Sequence, residues 1–410
     1  MAARSKDLLF VAAGPDQHWV AWVSDGRVAE FHPERPGRKS RIGDIHRGRI
    51  VAIDKRLDAA FVEIGCGQPA FLPLRKAHAP PVQGAAVIVE VERDGRGSKA
   101  PCVTARPTLK GGRLILAPKR RGVTISDRIT EPGERVRLAG LAKAITEPGE
   151  GWIVRTAAER ADAETLQQEA VRLRSAWRDI SAGGRADESP ACLYREPAAE
   201  LRLLRDHGAR FDTVVFDSRS AADTAREWCA SQRLDVGSRI RFQRQSDWVP
   251  SPAEIIEQVD DALEEQVPLP SGGVVTLEPT AALTAVDIDS AGSGGMAGDM
   301  GGERALLQTN LEAVDTIARQ LRLRNIGGII VIDFIDLRDA AARRRVIDRL
   351  RAAVKSDSAP CWVGGMSRLG LVEMTRRRRG PTLAAMLTEP GGGNAAPRWP
   401  RQATASTDGA

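Results

Sequence analysis

The sequence predicts a multidomain protein of mixed α/β and β architecture, and three observations predict it. Short apolar strands with glycine turns crowd residues 7–117, helices and strands alternate from residue 198 onward, and two strands ending in aspartate flank one long helix-patterned segment. With 410 residues, 42% of them hydrophobic, the chain can bury several cores. About two to four units are expected.

The first strands, Asp7–Ala12 and His18–Val23, are parted by Gly14-Pro15 and read as a hairpin. After a Pro/Gly/Arg stretch over 33–39, the segments Gly43–Asp54, Ala59–Gly65 and Gln68–Leu74 have the spacing of a small five-stranded barrel. Ala86–Val91 and Arg113–Ala117 would complete that barrel or leave it. On such a surface Phe61 and Phe71 can stack nucleobases while Arg47, Arg49 and Lys55 meet phosphates. The competing reading puts both phenylalanines in the core. Gly151–Thr156 reads as a strand ending in Arg155 and Thr156, a guanidinium and a hydroxyl that could hold a terminal phosphate. A helix with Leu166, Ala170, Leu173, Trp177 and Ile180 on one stripe follows and stops near Gly183-Gly184.

An α/β rhythm comes next: helix Ala198–Asp206, strand Asp212–Phe216, helix Ser220–Ser231. Ser251-Pro-Ala-Glu254 supplies an N-cap, a first-turn proline and a capping-box glutamate for a helix carrying Ile255, Ile256, Val259 and Leu263. Pro270–Gly273 turns the chain, and Val274–Leu277 pairs back toward the first aspartate strand. That strand is Thr284–Asp289, and the second is Ile329–Asp336. Side chains on a strand alternate, so Asp287 and Asp289 share one face while Val286 and Ile288 enter the core. If the strands are parallel neighbours, Asp333 stands beside Asp287. Two adjoining carboxylates repel unless a cation neutralises them, and all-oxygen ligation suits Mg²⁺, with Mn²⁺ as a substitute. Helix or turn capping is the alternative for either aspartate pair alone. The glycine-punctuated loop from Gly292 to Gly302 has no P-loop lysine, and reads as a linker or as a lid over a long substrate. Beyond it, Leu307, Leu311, Val314, Ala318 and Leu321 line one helix face, and Arg319, Arg322 and Arg324 are expected to be mostly solvated.

Several function classes are disfavoured. No apolar run is long enough to span a bilayer and the start lacks a signal-peptide core, so a cytoplasmic protein with no membrane span is expected. Cys66, Cys102, Cys192, Cys229 and Cys361 form no knuckle-spaced pair, so neither zinc nor structural disulfides are expected. No nucleophile elbow accompanies the histidines. Net charge is +6 and the sequence pI about 9.3. Residues 338–379 hold twelve Lys or Arg against four Asp or Glu, a net of +8. Such a surface, including Arg343–Arg345 and Arg376–Arg379, can hold a polyanion against carboxylates that would repel it.

The run Leu269–Gly273, Ala282–Ala291, Thr309–Ala313, Ile317–Arg324 and Gly327–Asp336 resembles the catalytic domain of the ribonuclease E/G family. Weaker similarity covers Ile45–Leu74, like that family's S1-type RNA-binding domain, and Ile153–Thr156, like its sensor for RNA 5′-monophosphate. The resemblance implies an endoribonuclease of RNA processing or turnover that cleaves single-stranded RNA to 5′-phosphate and 3′-hydroxyl ends. Asp287 and Asp333 would bind catalytic Mg²⁺ with Asp289 beside them, Arg155 and Thr156 would hold the 5′-phosphate, and Phe61 and Phe71 would contact bases. It also implies a subdivision: an RNase H-like subdomain from 1–36 and 207–270, an S1-type barrel over 37–117, a sensor region over 118–206, a DNase I-like catalytic subdomain over 271–385 and a disordered tail over 386–410. This chain departs from the family in three places. Asp289 stands where the family has asparagine, the loop after Ser290 and the region near Ser358–Pro360 lack expected basic residues, and no cysteine follows Thr382 to make the family's zinc link. A homodimer would therefore not be zinc-tethered. The competing readings are a non-catalytic S1-domain RNA-binding protein derived from the same family and a carboxylate-metal phosphotransfer enzyme acting on DNA.

Overall fold

The computed structural model describes residues 6–14, 18–34, 40–95, 100–185, 190–290 and 300–388. The glycine-rich loop over 291–299 and the tail over 389–410 lie outside the described residues, as does 35–39. The chain forms two compact units, Met1–Glu34 with Gln243–Ala410, and Arg35–Phe242.

In the first unit, Asp7–Ala13 and His18–Ser24 form the expected antiparallel hairpin, and a third strand, Arg27–Glu34, extends it. Trp19 packs against Phe31 and edge-on against Trp248, with Phe10 also on Trp248. The Ser251 capping box is present and starts the helix Pro252–Asp261. Its Gln258 side chain accepts a hydrogen bond from the Val28 amide, tying helix to hairpin.

The rest of this unit is a six-stranded sheet in the order Gln266–Pro268, Val274–Pro279, Leu283–Asp289, Gly328–Asp333, Leu371–Arg376, Cys361–Met366. One face is covered by the helices Met300–Leu323 and Ala340–Val354, whose Val314, Ile317, Leu321, Val346 and Leu350 meet Val286, Ile288, Ile330 and Ile332 in one core. A strand followed by a helix and a parallel strand is the βαβ arrangement expected of apolar strands with an intervening amphipathic segment. Arg319, Arg322 and Arg324 depart from the expectation of solvation. Arg322 pairs with Glu30 at 3.0 Å and lies over the Trp22 ring, and Arg324 is buried against Gln320. The arginine stems cover apolar surface where the helix meets the hairpin.

In the second unit, the strands Ile45–Asp54, Ala59–Glu63, Ala70–Pro73, Cys102–Thr104 and Ala86–Arg93 form a five-stranded barrel closed by pairing of the first with the last. Of the two strands that could complete the barrel or leave it, Ala86–Arg93 completes it. Leu114–Ala117 leaves the barrel for a separate sheet with Leu109–Lys110, Gly151–Val154 and Gly122–Ile125, and the short strand Cys102–Thr104 takes its place. A three-residue strand carries too little periodicity to be seen in sequence. The helix Pro132–Ile145 was not anticipated either, although Pro132 at its first turn and the Glu131 cap are ordinary start signals. The helix Ala163–Arg185 buries Leu166, Ala170, Leu173 and Ile180, as its stripe predicts.

Candidate active site

The two aspartate strands are adjacent and parallel, with Leu283 opposite Ile329 and, four residues on, Asp287 opposite Asp333. Alternation then does what the sequence foretells: Val286, Ile288 and Ile332 are buried, while Asp287, Asp289 and Asp333 face solvent on the sheet face opposite the helices Met300–Leu323 and Ala340–Val354, which no helix among the described residues of this unit covers. Thr276 stands across from Asp287 on the other side. Asp289 is one pleat further, about 7 Å along the strand from Asp287. The three carboxylates therefore do not converge on one point. The in-register pair is the focus, and Asp289 flanks it.

Burial first and then the Asp289 charge lift the Asp287 carboxyl above its ordinary value, the Ile288 amide opposes them, and Asp333 adds a smaller upward push. Uncompensated like charges at the end of a sheet are the donor set of a hard divalent cation that keeps several waters and takes one or two carboxylates from the protein. The second strand is held by Asn310, fully buried in the long helix. Its side-chain amide donates to the Ile335 carbonyl at 2.8 Å and its oxygen accepts from the Ile335 amide at 3.1 Å, fixing the turn just past Asp333.

Because Asp289 raises the Asp287 pKa, protons compete with a cation at higher pH than for an isolated carboxylate. Asp289→Asn removes that contribution, so the pH midpoint of Mn²⁺ binding, followed by paramagnetic resonance, should move to lower pH. In the metal-free protein the native pKa of Asp287 lies above its unfolded value. Repulsion thus lowers stability above that pKa and is relieved as pH falls through it, so the variant should gain melting temperature at neutral pH and little in acid. An unchanged midpoint would mean that Asp289 does not act on the pair.

The basic run is only partly a surface. Arg376 is buried, bonding Asp357 through Nε at 2.8 Å and Nη2 at 3.1 Å and the Ile326 carbonyl through Nη1 at 2.7 Å. It is structural, and is withdrawn from the polyanion surface. On the helix Ala340–Val354, Arg343, Arg344 and Arg351 line a hollow with Ser367, and Arg343–Arg345 are exposed. The uncovered sheet face also carries two residues that the sequence reading missed, Ile329, 53% exposed, and Trp362, 60% exposed, both opposite Thr375. The alternation of Cys361, Trp362 and Val363 was the available signal. From Ile329 to Asp333 the strand rises about 13 Å.

In the second unit, Phe61 and Phe71 face each other across neighbouring strands with ring centroids 6.1 Å apart and planes at 75°, and both are partly exposed. Arg49 is exposed and Nη1 lies 3.5 Å from the Gly84 carbonyl. Arg47 departs from expectation: it is 5% exposed and donates to the Gly183 carbonyl, at 2.5 Å, so its guanidinium ties barrel to helix and is not offered to phosphate. Strand alternation puts residue 47 on the same face as Ile45, which packs against the helix Ala163–Arg185, and that helix covers the guanidinium. Arg155 donates from Nη1 to Asp206 and to the Gly111 carbonyl, each at 2.7 Å, and the Thr156 hydroxyl lies 3.0 Å from that of Ser126. Burial works against the Asp206 charge, yet Arg155 and Arg205 outweigh it and hold that carboxyl far below the usual range. Arg155 is thus already paired with a carboxylate.

The sequence model of the Ribonuclease E/G family matches residues 108–379. The chain belongs to the ribonuclease E/G family. It is 35% identical to ribonuclease E of Haemophilus influenzae over 398 residues, covering 92% of this chain and 42% of that protein. With ribonuclease E of Escherichia coli K12 it shares 35% over 399 residues, 92% of this chain and 37% of the relative. Ribonuclease G of Salmonella typhimurium is 33% identical over 391 residues, 90% of this chain and 79% of the relative. The chain thus spans less than half the length of the ribonuclease E relatives and most of the ribonuclease G one. Family membership covers both strands of the carboxylate pair and the sheet that carries them. Among the described residues no helix is long and apolar enough to cross a membrane.

Proposed function

We propose that the protein is an endoribonuclease that hydrolyses single-stranded RNA, with Asp287 and Asp333 holding a Mg²⁺, replaceable by Mn²⁺. The observation that carries this reading is the in-register pair of carboxylates on an otherwise open sheet face, in a chain of this family. A bound divalent cation supplies there the polarisation of a phosphate oxygen and an acidified water, the chemistry that leaves 5′-phosphate and 3′-hydroxyl ends. Asp287 and Asp333 bind and orient the cation. Asp289 holds water beside it, and its charge keeps the pair poised to take up a cation rather than stay bare. Arg343 and Arg344 receive phosphates of the strand, and Trp362 offers a ring on which a base can stack at a distance of about two nucleotides from the pair. The family's subdivision, with an RNase H-like subdomain over 1–36 and 207–270 and a DNase I-like one over 271–385, is carried over as part of the same reading.

Phe61, Phe71 and Arg49 contact bases and backbone upstream or downstream on the barrel, an S1-type surface. Each base–aromatic stack is worth about 1–3 kcal/mol. Phe61→Ala with Phe71→Ala should therefore weaken binding of a short single-stranded RNA by about thirtyfold or more, read by fluorescence anisotropy, with the fold preserved because both rings are partly exposed. Wild-type affinity in the double variant would remove the barrel from the RNA path. Arg155 and Thr156 hold a 5′-phosphate, which must compete with Asp206 for the guanidinium.

The deciding experiment is cleavage of end-labelled single-stranded RNA in Mg²⁺ and in EDTA, with 5′-monophosphate and 5′-hydroxyl substrates. Metal-dependent internal cuts support the nuclease, and a preference for the monophosphate supports the role of Arg155 and Thr156. Tight RNA binding without cleavage in Mg²⁺ or Mn²⁺ would point instead to an RNA-binding member of the family.

A further inference from the structure

Away from the carboxylate pair, one oxygen of Asp44, one ring nitrogen of His46 and Sγ of Cys192 all lie within 4.8 Å of one another. Among the described residues no other three His, Cys, Asp or Glu side chains converge in this way. All three belong to the second unit. Asp44 and His46 flank Ile45, which is buried in the cluster around the helix Ala163–Arg185, so strand alternation turns both away from that cluster and to the same side, the one on which Ile50 enters the barrel core. The strand Ala191–Tyr194 runs antiparallel to this one with Cys192 directly opposite His46, and a register shift after Cys192 reorients the strand.

His46 is the informative member. It is 5% exposed, and neither buried ring nitrogen meets a hydrogen-bond partner at good geometry, although the Ile64 carbonyl lies on that side. Folded proteins seldom leave a buried imidazole in that condition without a ligand. Asp44 is held by the Glu196 amide, which donates to Oδ1 at 2.9 Å, and the Cys192 thiol is solvent-exposed, donating to the Tyr194 carbonyl at 3.4 Å. The charged groups facing the cluster are of both signs, Arg41 and Arg195 against Glu63 and Glu196, and Cys66 is a further neighbour. One thiolate, one imidazole and one carboxylate form a donor set too soft for Mg²⁺ or Ca²⁺, and are the usual ligands of tetrahedral zinc.

We propose that Asp44, His46 and Cys192 bind a zinc ion that staples the strand Ala191–Tyr194 to the barrel, with water in the fourth position. Binding displaces the Cys192 thiol proton to solvent and forms the zinc–sulfur bond, with no change of oxidation state. The site does not depend on the nuclease reading. It was invisible to cysteine spacing because its pieces are far apart in the chain.

The test uses the full chain, reduced and stripped of metal, titrated with Co²⁺ and then Zn²⁺. The expected result is about one equivalent bound with a thiolate-to-cobalt charge-transfer band, loss of that band in Cys192→Ser, and zinc affinity lowered roughly tenfold or more in Asp44→Asn. Zinc should also protect Cys192 from alkylation. The band should persist in the Asp287→Asn, Asp333→Asn double variant, which separates this site from the carboxylate pair. Cys192 is exposed, so its replacement by serine leaves the fold intact. No charge-transfer band in the wild type, a band unchanged in Cys192→Ser, or a band lost only in Cys66→Ser would each overturn the proposal.

Discussion

Asp333→Asn should lower RNA cleavage by about 10²–10³-fold or more while leaving single-stranded RNA binding near the wild-type level. Asparagine keeps the size of the side chain and removes the charge, and Asp333 is exposed at the end of its strand, so the fold has no reason to change. What is lost is half of a donor pair whose other member, Asp287, stands directly opposite in the sheet. With one carboxylate left, a divalent cation would be held less firmly relative to the phosphate, and positioning carries most of the rate in metal-assisted phosphoryl chemistry. Asp287→Asn should behave alike, and the two changes together should cost little more than either alone, because residues acting as a unit are not additive. The measurement is single-turnover cleavage beside anisotropy on the same RNA. Cleavage persisting in both single variants would place the reaction elsewhere.

The second large effect is on stability. Arg376 and Asp357 have side chains only 2% exposed each, and the guanidinium makes two bonds to the carboxylate and one to the Ile326 carbonyl. Arg376→Met takes the guanidinium from the buried Asp357 carboxylate, which still accepts from the Ala359 amide at 2.7 Å, and loss of a buried charge partner costs about 3–5 kcal/mol, a large share of the about 5–15 kcal/mol of a typical domain. Chemical denaturation should show the midpoint falling sharply. Removing the second charge as well, as Arg376→Met with Asp357→Leu, should recover much of the loss, because desolvation of two charges offsets most of what their attraction contributes. A midpoint unchanged in the single variant would mean that the pair contributes nothing to the fold.

Arg376 also shows how a charge run misleads. Within Arg376–Arg379 the four side chains look equivalent, and a basic stretch beside an acidic site suggests phosphate contacts. The strand Leu371–Arg376 alternates, however, and Val372 and Met374 are both fully buried, so the same period carries residue 376 inward. Arg47 illustrates the same effect on the barrel. Cations suit the C-terminal end of the long helix, and sequence alone leaves most of Arg319, Arg322 and Arg324 in solvent, but the helix ends against the hairpin, where Glu30 and Trp22 meet the guanidinium of Arg322. In each case the local signal was present and the partner was not. The barrel's last strand failed differently, since Cys102–Thr104 is too short to display any period at all.

By itself the sequence determined the features that depend on neighbours along the chain. These are the hairpin, the capping box at Ser251, the stripe of Leu166 to Ile180, and the alternation that turns Asp287 and Asp289 outward while Val286 and Ile288 go in. Backbone geometry imposes periods of two and 3.6 on any chain that adopts a strand or helix, so such patterns are written locally. Only the tertiary structure decided which residues meet. The parallel register that sets Asp333 beside Asp287, the burial of Arg376 on Asp357, the pairing of Arg155 with Asp206, and the meeting of Cys192 with Asp44 and His46 all join segments distant in sequence. Those contacts are selected by which apolar faces pack best across the whole chain, a choice that no window of neighbouring residues contains.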